Sequence, residues 1–565
     1  MRNSAHHVYA LLRGHTRTLV FTLLLVACVG SKPSDASDAG GGTLVIATTA
    51  DPHILFPPLV ATNQARQVAE SIYDYLVVVG PDMNTFGDAG FRPRLAESWK
   101  WSPDSLSIAF RIHPKARWHD GVRADASDVR FTFQVYMAAQ LGSPTAEELS
   151  DIDSVTTADS LTALFWYHAR SPHQLLDASQ MMILPRHLLE KIPLDSLKEA
   201  GPSANPVGTG RFRFHSWTRE SSVEITADTA NYRGRPGLDR VIWTIAPNFE
   251  TAVTKLLGGE ADLFPSMRYE NVAEIPRHPE LRLQSFSGTA YAFLAFNLRD
   301  PAKLTRLNPL FASRELRRAL TMAVDRVSLV RNTFDTLAHV ALGPTVRSFP
   351  TTDTTLRQIP FDPNRAAAIL DSLGWTQTSA QGIRRRGGRE LAFRALVASS
   401  SQSRMRIAVL MQEQLRRIGV RMKIEKLESN TLRSRMETRD FEAALWDWQL
   451  GATPNSLRET WGGKSARSRD GINFGAYESP VFDAYVDSAT SAIKLPEARH
   501  YFTRAYQVII DDAPAIWLDE PKTVIGINRR IRIGTVRPDS WWYDLGGWFV
   551  PKTERIARDR ISGRH

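Results

Sequence analysis

Between residues 404 and 425 the chain switches from one hydrophobic period to another, and this switch restricts the fold more than any other feature. Ile407, Leu410, Met411, Leu415 and Ile418 recur at helical spacing, and Gly419 closes the run. Val420, Met422 and Ile424 then alternate with Arg421, Lys423 and Glu425, the pattern of a half-buried strand. A helix followed at once by a strand is the repeating unit of α/β architecture. Two amphipathic helices precede it. Residues 313–330 set Leu316, Ala319, Leu320, Ala323, Val324 and Val327 on one face behind a Ser313 N-cap. Asp362-Pro363 opens the second, which Gly374 ends. Further upstream, 43–47 is a short apolar run suited to a buried strand. Residues 106–112 and 117–122 read as a hairpin about Asp120-Gly121, and 128–140 as a helix.

A chain of 565 residues exceeds what one hydrophobic core organises, roughly 250–300 residues, so two or more lobes are expected. The formal charge of +10 is dispersed along the sequence. Its densest run, Arg384, Arg385 and Arg386, lies between Gly382 and Gly387-Gly388 and reads as an exposed hairpin turn. Nucleic-acid binding needs basic residues gathered on one face or a recognisable module, and neither is present, so no nucleic-acid partner is expected.

The sequence carries no G-x-S-x-G elbow, no H-E-x-x-H and no phosphate-binding G-x-x-x-x-G-K-[ST] loop. His113 and His119 straddle a proline and read as surface strand residues rather than a ligand pair. With Cys28 as the sole cysteine, a cysteine zinc site and an intrachain disulfide are both excluded. No catalytic residue, metal or cofactor is expected.

Residues 1–27 read as an address. Arg2, Arg13 and Arg17 give a positive start, and Leu19–Ala27 is an apolar run too short to span a bilayer as a helix, which needs about 20 residues. The run ends Leu25-Val26-Ala27-Cys28, which resembles a bacterial lipobox, with Cys28 as the lipidated residue. Residues 28–42, rich in Ser, Gly, Asp and Pro, then read as a flexible tether. The expected location is the cell envelope, in the periplasm or at the cell surface, with the protein held to a membrane through that lipid.

Residues 94–133, RLAESWKWSPDSLSIAFRIHPKARWHDGVRADASDVRFTF, resemble the signature region of the family 5 extracellular solute-binding proteins, which serve ABC importers. Further matches follow in family order: Leu184-Pro185-Arg186-His187, then Asn205-Pro-Val-Gly-Thr-Gly210, with Arg211 where the family has proline. Asn231-Tyr232, Ala295-Phe296-Asn297, Arg317-Arg318-Ala319-Leu320, Phe361-Asp362-Pro363 and Leu373-Gly374-Trp375 continue the series. Trp99 and Trp101 read as anchors at a core edge.

The resemblance implies an α/β, two-lobed periplasmic-binding-protein fold (type II) with an extra subdomain inserted in the N-terminal lobe. Lobe I would comprise 43–79, 205–286 and 518–550, the inserted subdomain 80–204 and lobe II 287–517, leaving 551–565 as a tail. The strands Tyr291–Asn297 and Ile516–Ile527 would lie near the hinge. The implied function is capture of a peptide or peptide-like solute and its delivery, without a chemical step, to ABC transporter permease subunits. A monomer is expected.

The resemblance also supplies candidate ligand residues. Peptide-binding members hold the amino group with a tryptophan followed three residues later by an aspartate. Trp448 matches the tryptophan, but Gly451 stands at the aspartate's place. Asp447 is a substitute acceptor, although strand alternation turns it away from Trp448. Trp446 and Trp448 share a strand face and could stack on a ring or pack in the core. Arg404 is the candidate for a carboxylate, and Phe56, Tyr73, Asn473 and Phe474 are cleft candidates by position. An oligosaccharide or other non-peptide solute, or a periplasmic sensor or enzyme on the same fold, stays open as the alternative.

Overall fold

The computed structural model describes residues 41–198, 205–453 and 455–560. The signal, Cys28 and nearly all of the tether lie outside the described residues.

Lobe I is built on a sheet whose strands come from distant parts of the chain. In spatial order they are Leu281–Ser287, Asp519–Asn528, Leu263–Phe264, Thr43–Thr48, Arg240–Ile245, Ser222–Ala227 and Phe212–Thr218, with Ala338–Val340 added beside Asp519–Asn528. Thr43–Thr48 runs parallel to Arg240–Ile245, Thr43 opposite Arg240 and Thr48 opposite Ile245. Every residue of Thr43–Thr48 is buried, as expected of a strand covered on both faces. Leu44 and Ile46 pack with Trp243, Ile525 and Trp548 on one side. Val45 and Ala47 face Ala252 and Leu256 of the helix Phe249–Leu257 on the other.

The inserted subdomain has its own antiparallel sheet, ordered Ala96–Trp101, Ser107–Ile112, Thr162–Tyr167, Ile152–Asp159, and its own core around Phe110, Trp118, Val129 and Phe165. The expected hairpin of 106–112 with 117–122 does not form. Ser107–Ile112 pairs with Ala96–Trp101 and Thr162–Tyr167, and the Asp120-Gly121 turn closes only a bridge between Arg117 and Arg123. The following helix spans Ala126–Tyr136, two residues earlier than expected at its start, because Asp125 caps it and Asp128 returns the bond to the Asp125 amide. Trp99 and Trp101 are half-buried at the sheet edge and both donate their indole N–H to Asp88.

His119 is not a surface residue. It is 9 % exposed; its Nε2 lies 2.9 Å from the Gly210 carbonyl, and its Nδ1 accepts from the Gly208 amide at 3.2 Å. The glycine loop needs that approach: a Cβ on Gly208 would lie 1.9 Å from the Ile72 carbonyl oxygen. Strand periodicity failed here because 117–122 is a turn packed under that loop.

Lobe II centres on a five-stranded sheet ordered Arg421–Leu427, Ala392–Ala398, Ala443–Gln449, Ala290–Phe296, Ala515–Trp517. Ala392–Ala398 and Arg421–Leu427 are parallel, and the helix Gln402–Arg417 connects them, as parallel strands require. Ser401 caps that helix, Ile407, Met411 and Leu415 are buried, and Gly419 leaves it at φ 79°. Residues 313–330 are two helices, Arg314–Met322 and Arg326–Phe334, rather than one. The Asp325 carboxylate caps the second through the Ser328 amide, and the restart rotates the apolar face, so Val327 is 68 % exposed rather than inward. Arg384–Arg386 is the middle strand of a small three-stranded sheet that turns at Gly387-Gly388.

Two neighbouring stretches of chain pass between the lobes. Leu281–Ser287 in one sheet leads through Gly288-Thr289 into Ala290–Phe296 of the other, and Ala515–Trp517 leads through Leu518 into Asp519–Asn528. They are antiparallel partners on both sides of the crossing, with Ser287 opposite Lys522 and Phe293 opposite Trp517. Residues 551–560 return to lobe I, where Asp559 accepts from the Thr43 amide and from Arg530.

Candidate functional site

A cavity of about 680 Å³ opens between the lobes, within the size range of small-molecule sites. All three parts of the molecule line it. Lobe I contributes Glu70, Tyr73, Asp74, Arg211 and Arg233; the inserted subdomain contributes Arg94, Glu148, Asp151 and Asp177; lobe II contributes Gly451–Thr453 and Glu459.

Apart from the pairs Arg66–Glu70 and Arg537–Asp539, its charged side chains fall into two groups. The acidic group is Glu147, Glu148, Asp151 and Asp177 from the inserted subdomain with Glu459 from lobe II. Burial pushes the Asp177 carboxyl up to about 8, helped by Asp151 and Glu148. Its Oδ2 is buried without a hydrogen-bond partner. Burial also raises Glu148 and Glu459, and Glu459 adds to the shift of Glu148 from across the cavity. Like charges on facing walls resist approach unless a cation lies between them.

The second group is Arg94, Arg211 and Arg233 with Asp74 and Asp544. Arg233 is paired with Asp74 at 2.6 Å, and the Tyr232 hydroxyl donates to the same carboxylate at 2.9 Å. Arg94 lies 5.3 Å from the centre of the Tyr543 ring. Arg211 donates to the carbonyls of Gly234 and Arg235 at 3.3 and 2.8 Å.

Of the residues expected from the sequence, Tyr73 and Gly451 line this cavity. Gly451 has room: a Cβ there would meet only Thr453 Cγ2, at 3.8 Å. Asp447 and Arg404 lie elsewhere, in a second cavity of about 600 Å³ beside the crossing strands. There Arg404 holds the buried Asp519 at 2.9 Å and reaches Asp447 at 3.6 Å. Trp446 lines that cavity together with Asp447, whereas Trp448 does not. Those two half-buried indoles form a triad with the buried Phe474, ring centres 5.5–6.1 Å apart, against the lobe II core. Asn473 is a buried clamp that donates to the Gly462 and Tyr477 carbonyls. Phe56 is fully buried among Val135, Leu141 and Leu184.

Sequence reasoning missed Arg94, Asp177, Glu148 and Glu459. Arg211 alone had left a signal, as the residue standing where the family has proline.

The sequence profile of the bacterial extracellular solute-binding proteins, family 5 Middle, matches residues 90–468. The oligopeptide-binding protein AppA of Bacillus subtilis is 26 % identical over 554 residues, covering 94 % of this chain and 97 % of that one. The structure of AppA in complex with a nonapeptide superposes with a TM-score of 0.70 at 23 % identity, covering 91 % of this chain and 100 % of that one. NikZ of Campylobacter jejuni, solved with Ni(L-His), superposes with a TM-score of 0.72 at 22 % identity over 90 % of this chain and 99 % of that one.

Proposed function

The chain belongs to the family 5 bacterial extracellular solute-binding proteins, and we propose from that membership that it captures a peptide or peptide-like solute between its lobes and delivers it to an ABC importer permease. The observation that carries this reading is the inter-lobe cavity with separate acidic and basic groups on its walls. A peptide is a zwitterion, and such a cavity offers each end a counter-charge. The carboxylate that Gly451 does not supply is matched by those of the inserted subdomain and Glu459. A solute amine among them relieves the repulsion between Glu148 and Glu459, so binding and closure reinforce each other. The protein's work is binding and release, with no catalytic step.

One observation favours a second reading. With Gly451 at the aspartate position, a non-peptide solute such as an oligosaccharide needs no amine acceptor there. Thermal unfolding against panels of short peptides, oligosaccharides and metal chelates separates the two. A ligand at 100 times its Kd adds about 2.7 kcal/mol. Shifts with peptides alone support the first reading; shifts with oligosaccharides alone replace it with the second.

We further propose that Cys28 carries a lipid that tethers the protein to the envelope membrane. Metabolic labelling with a fatty acid, lost in Cys28→Ser, is the expected result; labelling unchanged in that variant sinks the assignment.

A further inference from the structure

Arg211 and Gly451, which stand where the pattern the sequence resembles has proline and aspartate, line the same cavity. One departure removes a carboxylate and the other adds a guanidinium. Arg211 does not stand alone, because Arg94 from the inserted subdomain lines the cavity with it.

Neither arginine makes an ion pair within 4.0 Å among the described residues, whereas Arg233 beside them is paired with Asp74. Arg211 uses Nε and Nη2 on backbone carbonyls, and among the described residues its Nη1 donates to nothing. Gly546 lets that nitrogen lie close to the chain: a Cβ there would sit 2.6 Å from it. The Arg94 guanidinium has the Tyr543 ring as a neighbour and no hydrogen bond among the described residues. Burial, and then Arg233, lower the proton affinity of both. Of the carboxylates beside these guanidiniums, Asp74 is already paired with Arg233, and Asp544 makes no ion pair within 4.0 Å with Arg94 or Arg211. Holding unpaired guanidiniums in a partly desolvated cavity is costly, and a counter-ion entering with the solute removes the cost.

We propose that Arg94 and Arg211 form a carboxylate-binding subsite of the solute cavity. This rests on the reading of that cavity as the solute site. A planar carboxylate matches the guanidinium fork, and charge-assisted bonds of this kind are the stronger class. The carboxylate comes either from a peptide's C-terminus or from an acidic side chain.

The test has two arms. In the first, the purified full chain is unfolded thermally in sodium succinate and in sodium chloride at matched ionic strength. Succinate is expected to raise the midpoint of the wild type and not that of Arg94→Gln/Arg211→Gln. No rise in the wild type, or an equal rise in both, overturns the subsite. Arg211→Pro, which installs the family's residue, replaces the double variant if that fails to fold, and must reduce the rise.

In the second arm, pooled tripeptides are offered as free acids and as C-terminal amides, and retained peptides are read by mass spectrometry. Loss of retention on amidation, by roughly ten- to a hundredfold in affinity, assigns the subsite to the C-terminus. Amides retained only when they carry Asp or Glu assign it to a side chain. Acids and amides retained alike, whatever their side chains, overturn the proposal. Retention of no peptide defeats the peptide reading instead and leaves the succinate result to decide the subsite.

Discussion

Arg530 and Asp262, far apart in sequence, lie fork to fork: Nε to Oδ1 at 2.9 Å and Nη2 to Oδ2 at 2.8 Å, with the carboxylate wholly buried. Asp262 also accepts from the Val45 amide, and Arg530 reaches on to Asp559 at 2.7 Å. The network joins the first strand of lobe I to the last described turn of the chain. Removing one partner leaves a buried charge uncompensated, so Asp262→Ala is expected to destabilise by about 3–5 kcal/mol in denaturant unfolding. A loss below 1 kcal/mol would show that the network relaxes to water.

Asp177 makes stability depend on pH. Its carboxyl, held up to about 8 by burial and by Asp151 and Glu148, keeps its proton in the folded state over a range where the unfolded chain has lost it. Between about pH 4 and 8 the folded state therefore binds more protons, and stability falls as pH rises. Asp177→Asn should flatten that fall, with its gain in unfolding midpoint growing from pH 4 to 8. A gain that does not change with pH contradicts the assignment.

Gly451 offers a gain-of-function test. Its surroundings accept a side chain, and its φ lies outside the left-handed range. Gly451→Asp should tighten binding of peptides with a free amino group by roughly ten- to a hundredfold while leaving N-acetylated peptides unchanged. Equal effects on both, read by calorimetry, would mean that the solute amine does not pass this position.

Phe86, from the inserted subdomain, is 5 % exposed and packs in the lobe II core with Leu457, Phe502 and Tyr506. Because it bridges parts that must separate for a solute to enter, it favours the closed arrangement. Phe86→Ala is expected to weaken solute binding without touching the cavity, and to enlarge the radius measured by X-ray scattering in the absence of solute. An unchanged radius with unchanged affinity rules out that role.

The fold was legible where local signals agreed. The helix Gln402–Arg417, Gly419 and the following strand were readable because cap, period and terminator coincide. The break at Ala323–Asp325 was not, because its cap sits inside an otherwise continuous apolar pattern. Of the cavity's lining, only Tyr73 and Gly451 were among the candidate residues read from the sequence. Nothing in the residues neighbouring Arg94, Asp177 and Glu459 encodes which distant segment they face.

The chain crosses between lobes as an antiparallel ribbon that Ala338–Val340 widens at Asp519–Pro521, with Gly288 so close to Pro521 that a Cβ there would stand 2.7 Å from its carbonyl oxygen. A narrow β-ribbon flexes across its flat side and is stiff within its own plane. The lobes thus share one soft mechanical coordinate, a leaf spring rather than a ball joint. Every solute admitted meets the same sweep of the opposing wall, whatever its shape.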